Sequence, residues 1–348
     1  MSGSNTVSVM PDGQPPRSSR RKIPYIILAL TGLAVLVFFV GIGLGSQTTS
    51  LPDVVRTLLG YGTAEHSLIL HTLRLPRALV AVLAGAALSV AGAILQGIIR
   101  NPMASPDIIG ITGGASFAAV AFITYLGGSV SIKWLPAAAF AGAALISIVI
   151  YVLAWSRGVS PTRLVLIGVG ISAITSSLTM LMIVISPVNT AGQAYVWMTG
   201  SVYGSSWGDV YSVLPWVLVL IPLAFYLYRH LNIQELGDEL ATGLGSPVQL
   251  YRFMLLMISV ALAGAAVAVA GAVGFVGLIA PHIARKLVGP SFNGLVPASA
   301  LIGSLMVLLA DTIGRTVFLP LDVPAGVFTA AVGAPYFIYL LYRSRHSG

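Results

Sequence analysis

Long apolar stretches without charge recur along nearly the whole chain, separated by short polar joints. A stretch of about 17 to 25 such residues predicts a helix able to cross roughly 30 Å of hydrocarbon. The stretches fall near 24–46, 78–98, 108–128, 134–155, 164–186, 209–228, 253–272, 274–288, 295–313 and 321–342. That pattern predicts an all-α, polytopic integral membrane protein with about ten transmembrane helices. A polar leader, residues 1–23, carries Arg17, Arg20, Arg21 and Lys22. The apolar run behind it is too long for a signal-peptide core and has no convincing cleavage site, so it reads as an uncleaved anchor. Residues 24–348 then form a single ten-helix domain, with halves of about 24–190 and 191–343 and one polar loop at 229–252.

Composition supports the class. Of 348 residues, 57% are hydrophobic and 8% charged, against about a quarter charged in ordinary soluble domains. Cysteine is absent, which excludes disulfide and thiolate chemistry. The net charge of +8 is spread over the joints and is explained by topology rather than by nucleic acid. The stretch from Phe253 to Ala280 is long for one helix and short for two, and basic residues arbitrate between nine spans and ten. Ten spans with an inner N-terminus place 13 of the 18 Lys and Arg inside, and nine spans place 10 there. Ten is preferred. The five left outside are Arg56, Arg74, Arg77, Lys133 and Arg315.

Two stretches echo each other, GAALSVAGAIL at Gly85–Leu95 and GAAVAVAGAVG at Gly264–Gly274, with seven of eleven positions identical. They are expected to open the second and seventh spans, as in two inverted halves of five helices. Small residues at spacing four, Gly85, Ser89, Ala93 and Gly97, allow close helix approach inside lipid.

Several chemistries are missing. The first six spans show no Asp or Glu expected well inside the bilayer, and Asp311 falls at the outer end of the ninth, which argues against an independent ion-coupled carrier. None of Lys22, Lys133 and Lys286 follows Gly, so no phosphate-binding loop exists and ATP hydrolysis must come from another subunit. The five histidines lack metal-ligand spacing, and no nucleophile elbow occurs. An enzyme is therefore not expected, nor a metal or cofactor bound by this chain.

The loop Arg229–Arg252 is acidic. Leu236, Leu240 and Leu244 repeat at helical spacing, with Glu235, Asp238 and Glu239 on the polar side, which predicts two short helices joined at Gly237. Asp238 is placed to cap the second, and Gly243 and Gly245 to end it. A groove on a protein partner suits this loop better than an anionic lipid surface. At the other face, RLPR at Arg74–Arg77 sets two guanidiniums on the side that basic residues avoid. Guanidiniums make directional, charge-assisted bonds to carboxylates, so a partner's Asp or Glu is one reading. Headgroup anchoring is the other, or for Arg315 a local pair with Asp311.

The motifs resemble a family. RLPR, GAILQGIIRNPMASPDIIGITGGAS at Gly92–Ser116, VWMTGS at Val196–Ser201, LGDELATGLG at Leu236–Gly245, GFVGLIAPHIARKLVGP at Gly274–Pro290, ADTIGRT at Ala310–Thr316 and VPAGVFTAAVGAPYFIYLL at Val323–Leu341 occur in order. Together they resemble the FecCD-type permeases of bacterial ABC importers for iron-siderophores, haem and cobalamin. The resemblance implies a cell-membrane subunit, with both termini cytoplasmic, that pairs with itself or a sibling permease. It further implies a cytoplasmic ABC ATPase dimer using ATP-Mg, an extracytoplasmic substrate-binding protein, and a ferric siderophore as cargo. It places binding-protein docking at Arg74, Arg77 and Arg315. Coupling to the ATPase falls at Glu235, Leu236, Gly237, Asp238, Glu239, Leu240, Ala241, Leu244 and Gly245, and an inner gate at Asn101, Met103, Thr162 and Leu166. It also makes VWMTGS a short re-entrant helix at the outer mouth. An ATP-independent channel or secondary carrier is the alternative of another class.

Overall fold

A computed structural model describes residues 17–45, 48–156 and 158–345. Among them run α1 (Arg17–Gly43), α2 (Leu51–Leu58), α3 (Ala64–Leu68), α4 (Leu75–Ile99), α5 (Ile111–Ala121), α6 (Leu135–Ala154), α7 (Pro161–Ile185) and α8 (Val188–Met198). They are followed by α9 (Trp207–Tyr226), α10 (Tyr228–Glu235), α11 (Asp238–Gly243), α12 (Val248–Ala270), α13 (Val276–Val288), α14 (Phe292–Thr316) and α15 (Ala325–Arg345). Residues 1–16 of the expected leader lie outside the described residues, and α1 begins within that leader at Arg17. Helices occupy each of the ten predicted stretches. Eight are long and apolar enough to cross a membrane. The other two are short: the apolar segment Ile111–Leu126, in which a π-helical turn extends α5, and the 13-residue α13.

One long helix organises the rest. Most of α4 is buried, and its small residues are where neighbouring backbones meet it. A Cβ on Gly85 would overlap the Gly303 carbonyl of α14, and one on Gly92 would overlap Gly277 of α13. Next to these contacts, Ser304 Oγ donates to the Val82 carbonyl at 2.8 Å and Ser259 Oγ to that of Ala91 at 3.0 Å. Close packing and interhelical hydrogen bonds are what hold helices together where lipid removes any hydrophobic gain from association.

The order long helix, irregular stretch, short helix, long helix, long helix occurs twice, from α4 to α7 and from α12 to α15. The sequence echo is out of register with it. Gly85 lies ten residues inside α4, whereas Gly264 lies sixteen inside α12 and its copy runs off the helix end at Ala270, so neither copy opens a span. Ala- and Gly-rich packing surfaces match each other wherever helices touch closely, which accounts for the offset.

The irregular stretch after α4 corrects a second expectation. Arg100 ends that helix in the left-handed region (φ 57°), which turns the chain back along the bundle. A Cβ on Gly277 would stand 2.9 Å from both the Leu88 carbonyl and Pro106 Cδ, so Pro106 lies beside the middle of α4. A Cβ on Gly110 would stand 3.1 Å from Ser172 Oγ, halfway along α7. The segment Asn101–Gly110 therefore climbs to mid-bundle and carries Asp107 with it. Hydropathy assigned Asp107 to a surface joint because the three-dimensional path of a Pro- and Gly-broken segment leaves no periodic signal.

Candidate functional site

The bundle has two chemically distinct ends. At one, α4 begins, α1 and α14 finish, and Arg74, Arg77 and Arg315 gather. Arg77 is the hub. Its Nε donates to Asp311 Oδ1 at 2.9 Å, while Nη1 and Nη2 donate to the two carboxylate oxygens of Asp322 at 2.6 and 2.8 Å. The Tyr203 ring lies 5.4 Å from the guanidinium carbon. Asp311 is 2% exposed and also faces Arg315 Nε at 3.5 Å. Arg315 Nη1 donates to the Leu44 carbonyl at 3.0 Å, and its Nη2 to that of Gly41. Arg74 Nη1 donates to the Ile42 and Gly43 carbonyls at 3.0 and 3.1 Å.

The last carbonyls of a helix lack intrahelical donors and carry the negative end of its dipole. No basic residue stands in the last turn of α1, and two arginines from elsewhere supply it. The three guanidiniums are thus engaged within the chain, and the pair between Arg315 and Asp311 is a minor part of that network. The same arginines still line one side of an open cavity of 720 Å³, together with Tyr203, Ser205 and Asp322.

At the opposite end, α10 and α11 form the two expected short helices. Gly237, at φ 105°, joins them in a conformation that favours glycine, and Gly237, not Asp238, occupies the N-cap of α11. Asp238 is drawn away by Arg252 Nη2 at 2.7 Å and Arg100 Nη2 at 3.4 Å. Arg252 is 1% exposed and also donates to the Val159 carbonyl. Glu235 accepts from Arg285 Nη1 at 3.0 Å. The acidic side of the hinge therefore faces the bundle, with Glu239 left exposed, and the outward face is apolar: Leu236, Leu240 and Leu244 are 56%, 63% and 67% exposed. Ala241 is buried beneath them, α11 ends at Gly243, and Gly245 turns the chain at φ 78°. Reading the loop as acidic missed this, because its neutralising cations, Arg100, Arg252 and Arg285, lie in other stretches of sequence.

The four residues assigned to an inner gate fall in two places. Asn101 Oδ1 accepts from the Met103 amide at 2.9 Å at the foot of the climbing segment. Thr162 and Leu166 stand exposed on the first two turns of α7. No hydrogen bond or ion pair among the described residues joins the two pairs. The VWMTGS stretch ends α8 with its turn inserted between the ends of α12 and α15: Gly200 accepts from the Gly326 amide at 2.9 Å, and a Cβ on Gly271 would overlap the Trp197 carbonyl.

Comparison with known proteins places these features in a family. The chain is 50% identical over 335 residues to the probable siderophore transport system permease protein YfhA of Bacillus subtilis (strain 168), covering 95% of this chain and 98% of that one. It is 50% identical to the achromobactin transport system permease protein CbrC of Dickeya dadantii (strain 3937), covering 90% of each. A solved metal-chelate type ABC transporter in an inward-facing conformation superposes with a TM-score of 0.84 at 30% identity, covering 92% of this chain and 99% of that chain. The model of the FecCD transport family matches residues 33–343, and with a bundle of this order and relatives of this identity the chain belongs to that family.

Proposed function

We propose that this chain is the membrane permease of an ATP-driven importer that carries ferric siderophores across a bacterial cell membrane. Relatives named for siderophore, achromobactin and iron(3+)-hydroxamate transport, each matched over at least nine-tenths of this chain, support the cargo class. The chain has no phosphate-binding loop, so an ATPase dimer acts from outside it. The observation that carries the reading is the leucine knob at α10–α11. Three exposed leucines stand on a stem fixed by ion pairs to α4, α12 and α13, a rigid handle that a motor protein can grip and move.

With the knob facing the cytoplasm, the arginine end faces outward. A carboxylate side chain of a substrate-binding protein enters the 720 Å³ cavity and meets Arg74, Arg77 and Arg315, whose fixed geometry sets the orientation of docking. ATP binding and hydrolysis displace the knob, and the route between this subunit and a second permease, identical or sibling, opens to alternate sides. Asn101, Met103, Thr162 and Leu166 line its inner constriction. Reconstitution with the ATPase and binding protein tests this: ferric-siderophore uptake into proteoliposomes requires hydrolysable ATP. Equal accumulation without ATP, or driven by protons alone, would overturn the reading, and preferential uptake of haem or cobalamin would move the cargo class.

A further inference from the structure

Asp107 is the one acidic side chain that the climbing segment lifts to mid-bundle, and the function proposed above does not use it. Its carboxylate sits where two short helices begin. Thr112 Oγ1, in the first turn of α5, donates to Asp107 Oδ1 at 2.6 Å, and the backbone N–H of Phe275, the N-cap of α13, also faces that carboxylate. The positive ends of both helices converge on it, each equivalent to roughly half a unit charge. Asp107 offsets them while keeping exposed surface on one side.

That exposed side is part of a half-open chamber of 340 Å³ between α5, α7 and α8. Six of its eleven lining residues carry a hydroxyl, Thr112, Ser116, Ser172, Ser176, Thr179 and Tyr195, set in a wall whose exposed surface is otherwise mostly apolar. Thr179 spends its hydroxyl on the Thr175 carbonyl, but Ser172 Oγ is buried and makes no hydrogen bond among the described residues. The Asp107 carboxylate cannot open onto acyl chains, because lipid offers no partner to a polar group and an ionised side chain at that depth is costly. The open side must meet water or protein. Tyr195 and Met198 bring α8, whose end lies at the arginine face, to the chamber wall, so the space lies between mid-bundle and that face.

We propose that this chamber is a water-filled station on the translocation route, and that Asp107 makes it favour metal chelates presenting N–H or O–H donors or positive charge over chelates with net negative charge. The hydroxyls give weak, exchangeable contacts to an oxygen-rich cargo. The carboxylate cancels the helix ends that would otherwise hold an anion in transit. This deepens, and rests on, the reading of the chain as a chelate permease.

Because the chain has no cysteine, Ser176→Cys places a single thiol in the chamber. In the transporter assembled with its ATPase and binding protein, its modification rates by cationic and anionic methanethiosulfonates report the local potential. With Asp107 present, the cation-to-anion rate ratio is expected to equal or exceed that of a free thiol in solution. Asp107→Asn should lower the ratio by about a hundredfold, because a unit charge within ~10 Å at an effective dielectric near 20 changes the cation and anion rates each by roughly tenfold, in opposite directions. Asp107→Glu should preserve it. An unchanged ratio in Asp107→Asn, or no reaction with either reagent in any nucleotide state, would overturn the proposal. If Asp107→Asn does not assemble, the parent ratio decides, and a value below that of the free thiol refutes the assignment. ATP-dependent uptake of a ferric trihydroxamate by the parent assembly is measured alongside. Its absence with an intact rate shift refutes the import reading and leaves the potential assigned, whereas uptake without a shift refutes the station alone.

Discussion

At Arg77 one guanidinium holds two carboxylates from residues 234 and 245 positions away in sequence. Removing one partner of a buried pair leaves an uncompensated charge, so Arg77→Met should cost about 3–5 kcal/mol, read as a lower Tm in thermal unfolding of the detergent-purified protein. Adding Asp322→Asn should recover part of that loss, because Asp311 retains Arg315 while, among the described residues, Asp322 pairs with Arg77 alone. A charge reversal at Arg77 would disturb the fold as well as any docking, so binding-protein affinity must be compared at matched Tm. The sequence showed that these arginines stand on the disfavoured side and left open whether lipid, a partner or Asp311 meets them. It could not show that Arg74 and Arg315 hold the end of α1, since a contact between a side chain and distant carbonyls has no periodicity and no charged counterpart to pair with by eye. His230 is a similar case. Its ring stacks on Tyr251 at 3.4 Å between centroids, Nδ1 is buried with no hydrogen-bond partner among the described residues, and burial lowers its pKa from the ordinary value. A base whose folded pKa is lowered stabilises the fold fully above its unfolded value near ~6.5, and that contribution fades as pH falls through the lowered folded pKa. Tm measured from pH 7.5 downward should therefore drop in the acid range, and His230→Gln should flatten that limb.

Elements were legible in proportion to their length and regularity. The eight long helices follow from uninterrupted apolar runs, and the hinge at α10–α11 from three leucines at helical spacing and a glycine between acidic residues. The climbing segment Asn101–Gly110 was not legible, because two prolines and a terminal glycine signal a broken backbone without saying where it goes. The hinge also illustrates how polarity misleads: its acids point inward to Arg100, Arg252 and Arg285, so what it offers a partner is apolar. Leu240→Asp should accordingly leave stability within about 0.5 kcal/mol of the parent, as for an exposed substitution, by thermal unfolding. The same variant should cut ATP-dependent uptake and permease-stimulated ATP hydrolysis by about tenfold or more, as expected for the centre of a small apolar contact. Normal uptake would remove the knob from the motor contact.

On the scale of the whole molecule, class and spans came from hydropathy and charge asymmetry alone, because a bilayer imposes one solution, the helix, on nearly every segment that crosses it. What hydropathy could not supply was the meeting of two short helices at mid-bundle, where a chamber of hydroxyls and one carboxylate is built from residues that look like joints and small-residue packing. The grip on the end of α1 has a consequence for how the protein is made. Chains emerge from the ribosome N-terminus first, so α1 enters the bilayer long before Arg315, which lies 271 residues after Leu44 and donates to its carbonyl. Until that arginine arrives, the carbonyls at the end of α1 have Arg74 but lack the second of the two arginines that later hold them. A nascent or truncated chain lacking α14 should be recognisable to membrane proteases by this loose anchor, making the final fastening a checkpoint on complete synthesis.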